Sequence, residues 1–199
     1  MRIVYRILLG VLILVIAAAA FMRFRVARER ANEEAYHRAL PKTITLNSTN
    51  FSDGSDIPVD CSCHGNERSP ELYWENLPPA TKALVLLVTD YDAPAPAFPL
   101  FNITHWVLYN IPTTVPYIPG AVTPEQVDRV KAAQGLNSTG SQQYIGPCPP
   151  YGRHAYVFRI YALDKSLTFD RIPDKRTVLD AMNGHILGYG ELTGYFQKP

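Results

Sequence analysis

Charge is scarce in this chain and evenly split. Lys and Arg number 19 against 18 Asp and Glu, a formal net charge of +1, so no basic face for nucleic acid is implied. Cysteine is scarce too: three in 199 residues exclude a disulfide-dense scaffold and allow one internal bridge at most. Zinc ligation wants a C-x-x-C spacing with further ligands. Here a single serine separates Cys61 from Cys63, and Cys148 is far away, so no metal and no other cofactor is expected. The common catalytic signatures are missing as well. The chain contains no Gly-x-Ser-x-Gly elbow, no His-Glu-x-x-His helix, no Gly-x-x-x-x-Gly-Lys loop and no Gly-x-Gly-x-x-Gly fingerprint, which leaves a hydrolase or metal-dependent enzyme as the weaker alternative to a binding module. Internal repeats and low-complexity tracts are absent, so the part beyond the N-terminal segment reads as one domain of ordinary size.

That N-terminal segment is the first positive feature. Residues 7–22 are apolar without interruption, and with residues 3–5 and a snorkelling Arg6 they reach the roughly 20 residues needed to cross a bilayer. The expectation is a signal anchor over residues 1–22, tethering the chain to a membrane. A cleaved signal peptide is the alternative, because Arg2 and Arg6 form a basic start and alanines 17–20 resemble a processing site. Arg23, Arg25, Arg28 and Arg30 follow at once and favour the anchor, although their excess over Arg2 and Arg6 biases the C-terminal side towards the cytoplasm. The cysteines argue for export, and an extracytoplasmic domain is expected. Residues 23–42 read as a polar helical stalk rich in Arg, Glu and Ala, ended by Pro41, and residues 43–199 as the domain.

The domain reads mainly as strands separated by Pro, Gly, Asn and Asp turns. Strands are expected at 43–46, 72–74, 83–89, 105–111 and 155–162, the third of these buried on both faces. In the last, Tyr156, Phe158 and Ile160 alternate with Val157, Arg159 and Tyr161, so both faces must meet something, as in a two-sheet β-sandwich. Helices are expected at 124–133, at 177–182 with Gly184 as a stop, and over 186–192, followed by an edge strand at 194–196.

Asp90 and Asp92 stand where the buried strand 83–89 leaves the core, a common place for function, although Asp also caps turns routinely. Four ordered segments then carry a resemblance. They are Asp90-Tyr-Asp-Ala-Pro94, His105-Trp-Val-Leu-Tyr-Asn-Ile-Pro112, Gly146-Pro-Cys-Pro-Pro150 and His154-Ala-Tyr-Val-Phe-Arg-Ile-Tyr-Ala-Leu163. This set resembles the signatures of the phosphatidylethanolamine-binding family, in its Raf-kinase-inhibitor-like prokaryotic branch. The resemblance implies a mainly β fold of two packed sheets with a few peripheral helices. It also implies a non-catalytic binding function, with Asp90, Asp92, His105, Gly146, Pro147, His154 and Tyr156 lining a small anion pocket. A phosphate or zwitterionic phospho-head-group is the implied ligand, and a regulated kinase or protease the alternative partner. In this picture both imidazoles donate to phosphate oxygens, and the aspartates orient them or accept from an ammonium head group. Two departures stand out: Tyr91 replaces the family's usual proline, and Ala155 an arginine present in many members, so a bidentate anion contact is lost. In exported relatives of the branch the matching cysteines are candidates for a bridge, which implies Cys63 with Cys148, Cys61 being the alternative partner and three reduced thiols the other outcome.

Overall fold

The computed structural model describes residues 2–199. Helix α1 (Arg2–Arg38) is continuous through the apolar run and the polar segment after it, about 55 Å at 1.5 Å per residue. Its first half stands clear of the domain, with Ile7, Leu12 and Leu14 exposed. It is long and apolar enough to cross a membrane or to serve as a signal sequence, with mean hydropathy 2.6 over its most apolar 18 residues. Its second half behaves differently: Val26 and His37 are buried, so the polar segment lies against the domain.

The strands are β1 (Thr45–Ser48), β2 (Leu72–Glu75), β3 (Ala83–Ala93), β4 (Phe101–Ile111), β5 (Tyr117–Ile118), β6 (Ala133–Gln134), β7 (Arg153–Leu163) and β8 (Ile186–Gln197). One sheet has the order β1-β2-β5 and the other β6-β4-β3-β7-β8. Every named pairing is antiparallel. Leu46, Leu72, Trp74 and Ile118 of the smaller sheet meet Leu86, Val88, Trp106, Phe158 and Ile160 of the larger in a single apolar cluster. Leu86 is wholly enclosed, and its truncation to alanine should cost about 2–5 kcal/mol.

The other face of the larger sheet buries Val85, Leu87, Val107, Tyr161 and Tyr189 beneath Val178 and Met182 of helix α3 (Lys175–Met182). Covered on both sides, β3 has no polar face to alternate, and its sequence is correspondingly a near-continuous apolar run. A short helix α2 (Pro124–Arg129) starts on a capping box in which Thr123 and Gln126 satisfy each other's backbone amides. Asp174 caps α3 by accepting from the Thr177 amide, and Gly184 follows at φ +77°, a left-handed conformation natural for glycine after a helix.

The helix expected over 186–192 is absent, and the segment is the first part of β8. Its glycines explain the difference. A side chain at Gly190 would sit 2.5 Å from the Ile44 carbonyl, and the Ile44 amide donates to the Tyr189 carbonyl at 3.1 Å. Close backbone approach therefore decides for an extended chain.

Candidate functional site

Alternation along β3 sends Asp90 towards the inter-sheet side and Tyr91 to the opposite face. Antiparallel pairing sets Asp90 opposite Tyr156 of β7, which brings His154, two residues before Tyr156, onto the same side. The Asp90 carboxylate accepts from His154 Nδ1 at 2.7 Å. His105 of β4 completes the group, its ring meeting Tyr156 edge-on at 5.0 Å while His154 stacks on Tyr156 at 6.4 Å. Asp90, His105 and His154, distant in sequence, are thus neighbours, all buried.

Asp92 serves the same end of the sheet differently. Its amide donates to Asp90 Oδ1 at 2.7 Å and its Oδ2 accepts from the Ala155 amide at 2.9 Å, so it ties β3 to the start of β7. Its other oxygen meets Arg30 of α1 at 3.4 Å.

The 146–151 loop closes over this group. A side chain at Gly146 would fall 2.8 Å from the Cys61 carbonyl, so only glycine lets the loop lie against the 61–62 backbone. Pro147 accepts from the Cys63 amide at 3.1 Å, and the two segments are joined by a disulfide between Cys63 and Cys148, 85 residues apart. A bridge over that separation is worth about 4.5 kcal/mol on the loop-entropy account. Cys61 is the free, buried thiol, and burial pushes it up to about 11. His64 lies beside the bridged sulfurs, which the disulfide removes from service as metal ligands.

Hydrogen-bond partners fix the protonation of each imidazole. His154 Nε2 faces the Tyr151 carbonyl at 3.1 Å while Nδ1 faces Asp90. Both neighbours only accept, so both nitrogens donate and the ring is an imidazolium. Burial opposes that charge, but the Asp90 hydrogen bond and charge, with help from the Tyr151 carbonyl and Asp92, outweigh it and raise the group above its ordinary value. His154 consequently has no N–H left for a ligand.

His105 is the opposite case. Its Nδ1 donates to the Ile145 carbonyl at 2.7 Å, and burial holds its pKa below the usual value, leaving a neutral ring whose Nε2 is a bare acceptor. That nitrogen and the Tyr156 hydroxyl are both buried without a partner. Burial, with Asp90 and Asp92 nearby, keeps the tyrosine firmly protonated, while the Cys148 backbone amide favours charge on its oxygen without completing a hydrogen bond. An acceptor and a donor, side by side and unpaired, are costly to bury.

A large cleft lies elsewhere. About 900 Å³ opens between α1 and the domain, lined among others by Phe24, Arg25, Arg28, Ser138 and Lys175. The inner group is closed, with His105 4% and Tyr156 1% exposed.

A second polar cluster, which motif reading does not find, lies on the opposite face of β3 and β7. Glu33 of α1 accepts from Lys175 Nζ at 2.7 Å and from the Tyr91 hydroxyl. Arg159 donates to Glu191 at 2.6 Å and to Tyr91 at 3.0 Å, and its guanidinium lies 3.9 Å from Glu33. One turn along α1, His37 Nε2 meets the Tyr161 hydroxyl at 2.7 Å. Burial, and then the Arg159 charge, lower His37 to about 4. The only sequence signal for this cluster is Arg159 within an otherwise apolar face.

Two antiparallel sheets with few helices and a closed polar group at one end define a β-rich domain. Residues 47–197 match the model of the phosphatidylethanolamine-binding protein family, and the chain belongs to that family. It is 38% identical over 164 residues to a UPF0098 protein of Archaeoglobus fulgidus, covering 82% of this chain but 54% of that one. The chain thus spans about half the length of that relative. The structure of a putative phosphatidylethanolamine-binding protein homologue from Chlamydia trachomatis superposes with TM-score 0.71 at 36% identity, covering 79% of this chain and 99% of that one. That of Escherichia coli YbcL, a new member of the mammalian family, superposes with TM-score 0.70 at 26% identity, again over 79% and 99%.

Proposed function

We propose that the chain is a membrane-tethered, non-catalytic binding protein, a two-sheet sandwich held by α1 as its anchor, whose inner site takes a phosphate or phospho-head-group. The observation that carries this reading is the unpaired couple of His105 Nε2 and the Tyr156 hydroxyl, buried beside the His154 imidazolium. Asp90 holds that imidazolium, Asp92 ties the strands, and Gly146 and Pro147 form the wall, so ligand contact falls to His105 and Tyr156. The Cys61 thiol, at about 11, is a poor nucleophile.

The donor pattern selects among phosphates. A monoester monoanion carries a P–O–H that donates to neutral His105 Nε2, while another of its oxygens accepts from Tyr156; its second ionisation lies near pH ~6. A diester has no such proton and binds only if His105 is protonated, with proton uptake. Entry requires side-chain movement, because both groups are enclosed.

Calorimetric titration with inorganic phosphate, phosphoethanolamine, a glycerophosphodiester and a phosphopeptide tests the reading. Monoesters should bind at neutral pH through their minor monoanion and more tightly as the pH falls towards ~6, and diesters only at lower pH, where His105 is protonated. The His105→Ala/Tyr156→Phe double variant should remain folded and lose phosphate. Equal phosphate affinity in that variant refutes the site.

A further inference from the structure

The contacts of α1 with the domain follow a strict order. Arg23 donates to the Ala97 carbonyl at 3.1 Å and lies 5.2 Å over the Phe98 ring. Glu29 then accepts from Asn102 at 2.8 Å and Arg30 meets Asp92. Glu33 and His37 follow against β7. The β3–β4 loop, residues 94–100, is therefore the end of the domain nearest the apolar half of the helix. Arg23 comes directly after Met22, the end of the uninterrupted apolar run. If the apolar run fills the hydrocarbon core, the interfacial layer occupies the next 5–7 Å or so on that side. At about 1.5 Å per residue, Arg23 and the loop it holds lie within that layer, and Arg30 with Asp92 lies roughly 12 Å beyond Met22.

The surface at this level suits the position. Phe98 and Phe101 are each 44% exposed, although they belong to a folded domain. Phe21 and Phe24 of α1 are exposed on the helix at the same height, and Arg25 and Arg28 line the large cleft beside it. Pro96 approaches Gly152, so the 147–152 loop, with Tyr151 exposed, borders the same end. Apolar rings rimmed by arginines are the composition of a surface that lies in a head-group layer.

We infer that the β3–β4 loop is a second membrane contact, in which Phe98 and Phe101 enter the interface of the bilayer that α1 crosses and seat the domain directly on the lipid surface. The inference rests on the tether of the proposed function but not on its ligand. The polar half of α1 is then a brace, not a spacer. Its ion pairs hold the domain at one height, with the end of the sheet that carries the inner site facing the head groups.

The test uses the full chain in nanodiscs of phosphatidylcholine and phosphatidylglycerol whose acyl chains are brominated near the head group. Tryptophan is introduced singly as Phe98→Trp, Phe101→Trp, Phe21→Trp and Ala80→Trp, over the constant background of buried Trp74 and Trp106. Ala80 is exposed in the turn before β3, at the opposite end of that strand. Positions 98 and 101 should lose most of their added emission, as position 21 does, while position 80 keeps its own. Quenching at 21 with none at 98 and 101 overturns the second contact and leaves the tether standing. Absence of quenching at 21 overturns both. Phosphate titration of the same samples reads the inner site independently, so loss of the surface and loss of the pocket are told apart.

Discussion

The polar clusters on the two faces of β3 and β7 use adjacent residues, Asp90 beside Tyr91 and Tyr156 three places before Arg159, yet they are completed differently. On the outer face Glu33, Tyr91, Arg159, Lys175 and Glu191 all have partners, and one nitrogen, His37 Nδ1, is left over. On the inner face Asp90 and His154 are paired, but His105 Nε2 and the Tyr156 hydroxyl are left over. A buried polar cluster with nearly every hydrogen bond made holds elements together, whereas an acceptor and a donor left unpaired in one group mark where something else belongs. The outer cluster thus reads as the joint between α1 and the sheet, and the inner one as the place of the proposed ligand.

The sharpest way to break this contrast is to remove the central acid from each side. Asp90→Ala strands the His154 imidazolium, wholly enclosed, and should cost about 3–5 kcal/mol of domain stability, read as a lowered urea midpoint. Glu33→Ala should cost about 1–3 kcal/mol, confined to the docking of α1. Hydrogen exchange at its amides should quicken with little change in the midpoint of the sheet. Equal effects on the midpoint would mean that α1 is part of the folding unit and that the outer cluster is no mere joint.

Acid should separate the two sides further. His37 titrates at about 4 when docked, against 6.5 for a free imidazole. Its undocked form therefore binds the proton first, so docking is intact above pH 6.5 and weakens as the pH falls towards 4. Burial alone would raise Glu33, but Lys175, Tyr91 and Arg159 outweigh it and hold the carboxylate below its ordinary 4.5. Its contribution is present above that value and lost as the pH falls through the lower docked one. Both groups act in the same direction. The inner face has the opposite sign, because His154 is raised: its contribution is fully present below 6.5 and is lost as the pH rises through its higher folded value. Exchange at α1 amides followed from pH 7 to 4 should show the helix loosening before the sheet does.

Much of the fold was legible because the larger sheet is enclosed on both faces and its strands are apolar runs. The segment 83–89 announced β3, and the alternation at 155–162 showed that something must cover Arg159 and Tyr161. It did not say what. The covering element is the polar half of α1, and a helix rich in Arg and Glu looks the same whether solvated or docked. The segment 186–192 was misjudged because its mixed pattern suits either state, and the deciding fact is the approach of the Ile44 backbone to Gly190. At the inner site, ordered motifs supplied the residues, and strand register brought Asp90, His105 and His154 together. Their division of labour was not legible. The acceptors that occupy His154 and His105 include the backbone carbonyls of Tyr151 and Ile145, which no side-chain motif records.

The smallest effect discriminates best, because it removes one oxygen atom from each side. Tyr91→Phe deletes a hydroxyl that accepts from Arg159 and donates to Glu33, leaving both charges less satisfied, and should weaken α1 docking by about 1–2 kcal/mol. Tyr156→Phe deletes a hydroxyl with no partner in the protein. Stability should therefore change by less than about 0.5 kcal/mol, or rise slightly, since a buried unpaired group has been removed. Phosphate affinity should nevertheless fall about tenfold, the equivalent of one hydrogen bond to a charged group. A stability loss in Tyr156→Phe matching that of Tyr91→Phe would show that the Tyr156 hydroxyl is already satisfied within the fold, and the inner cluster would then be a second joint, not a receptor.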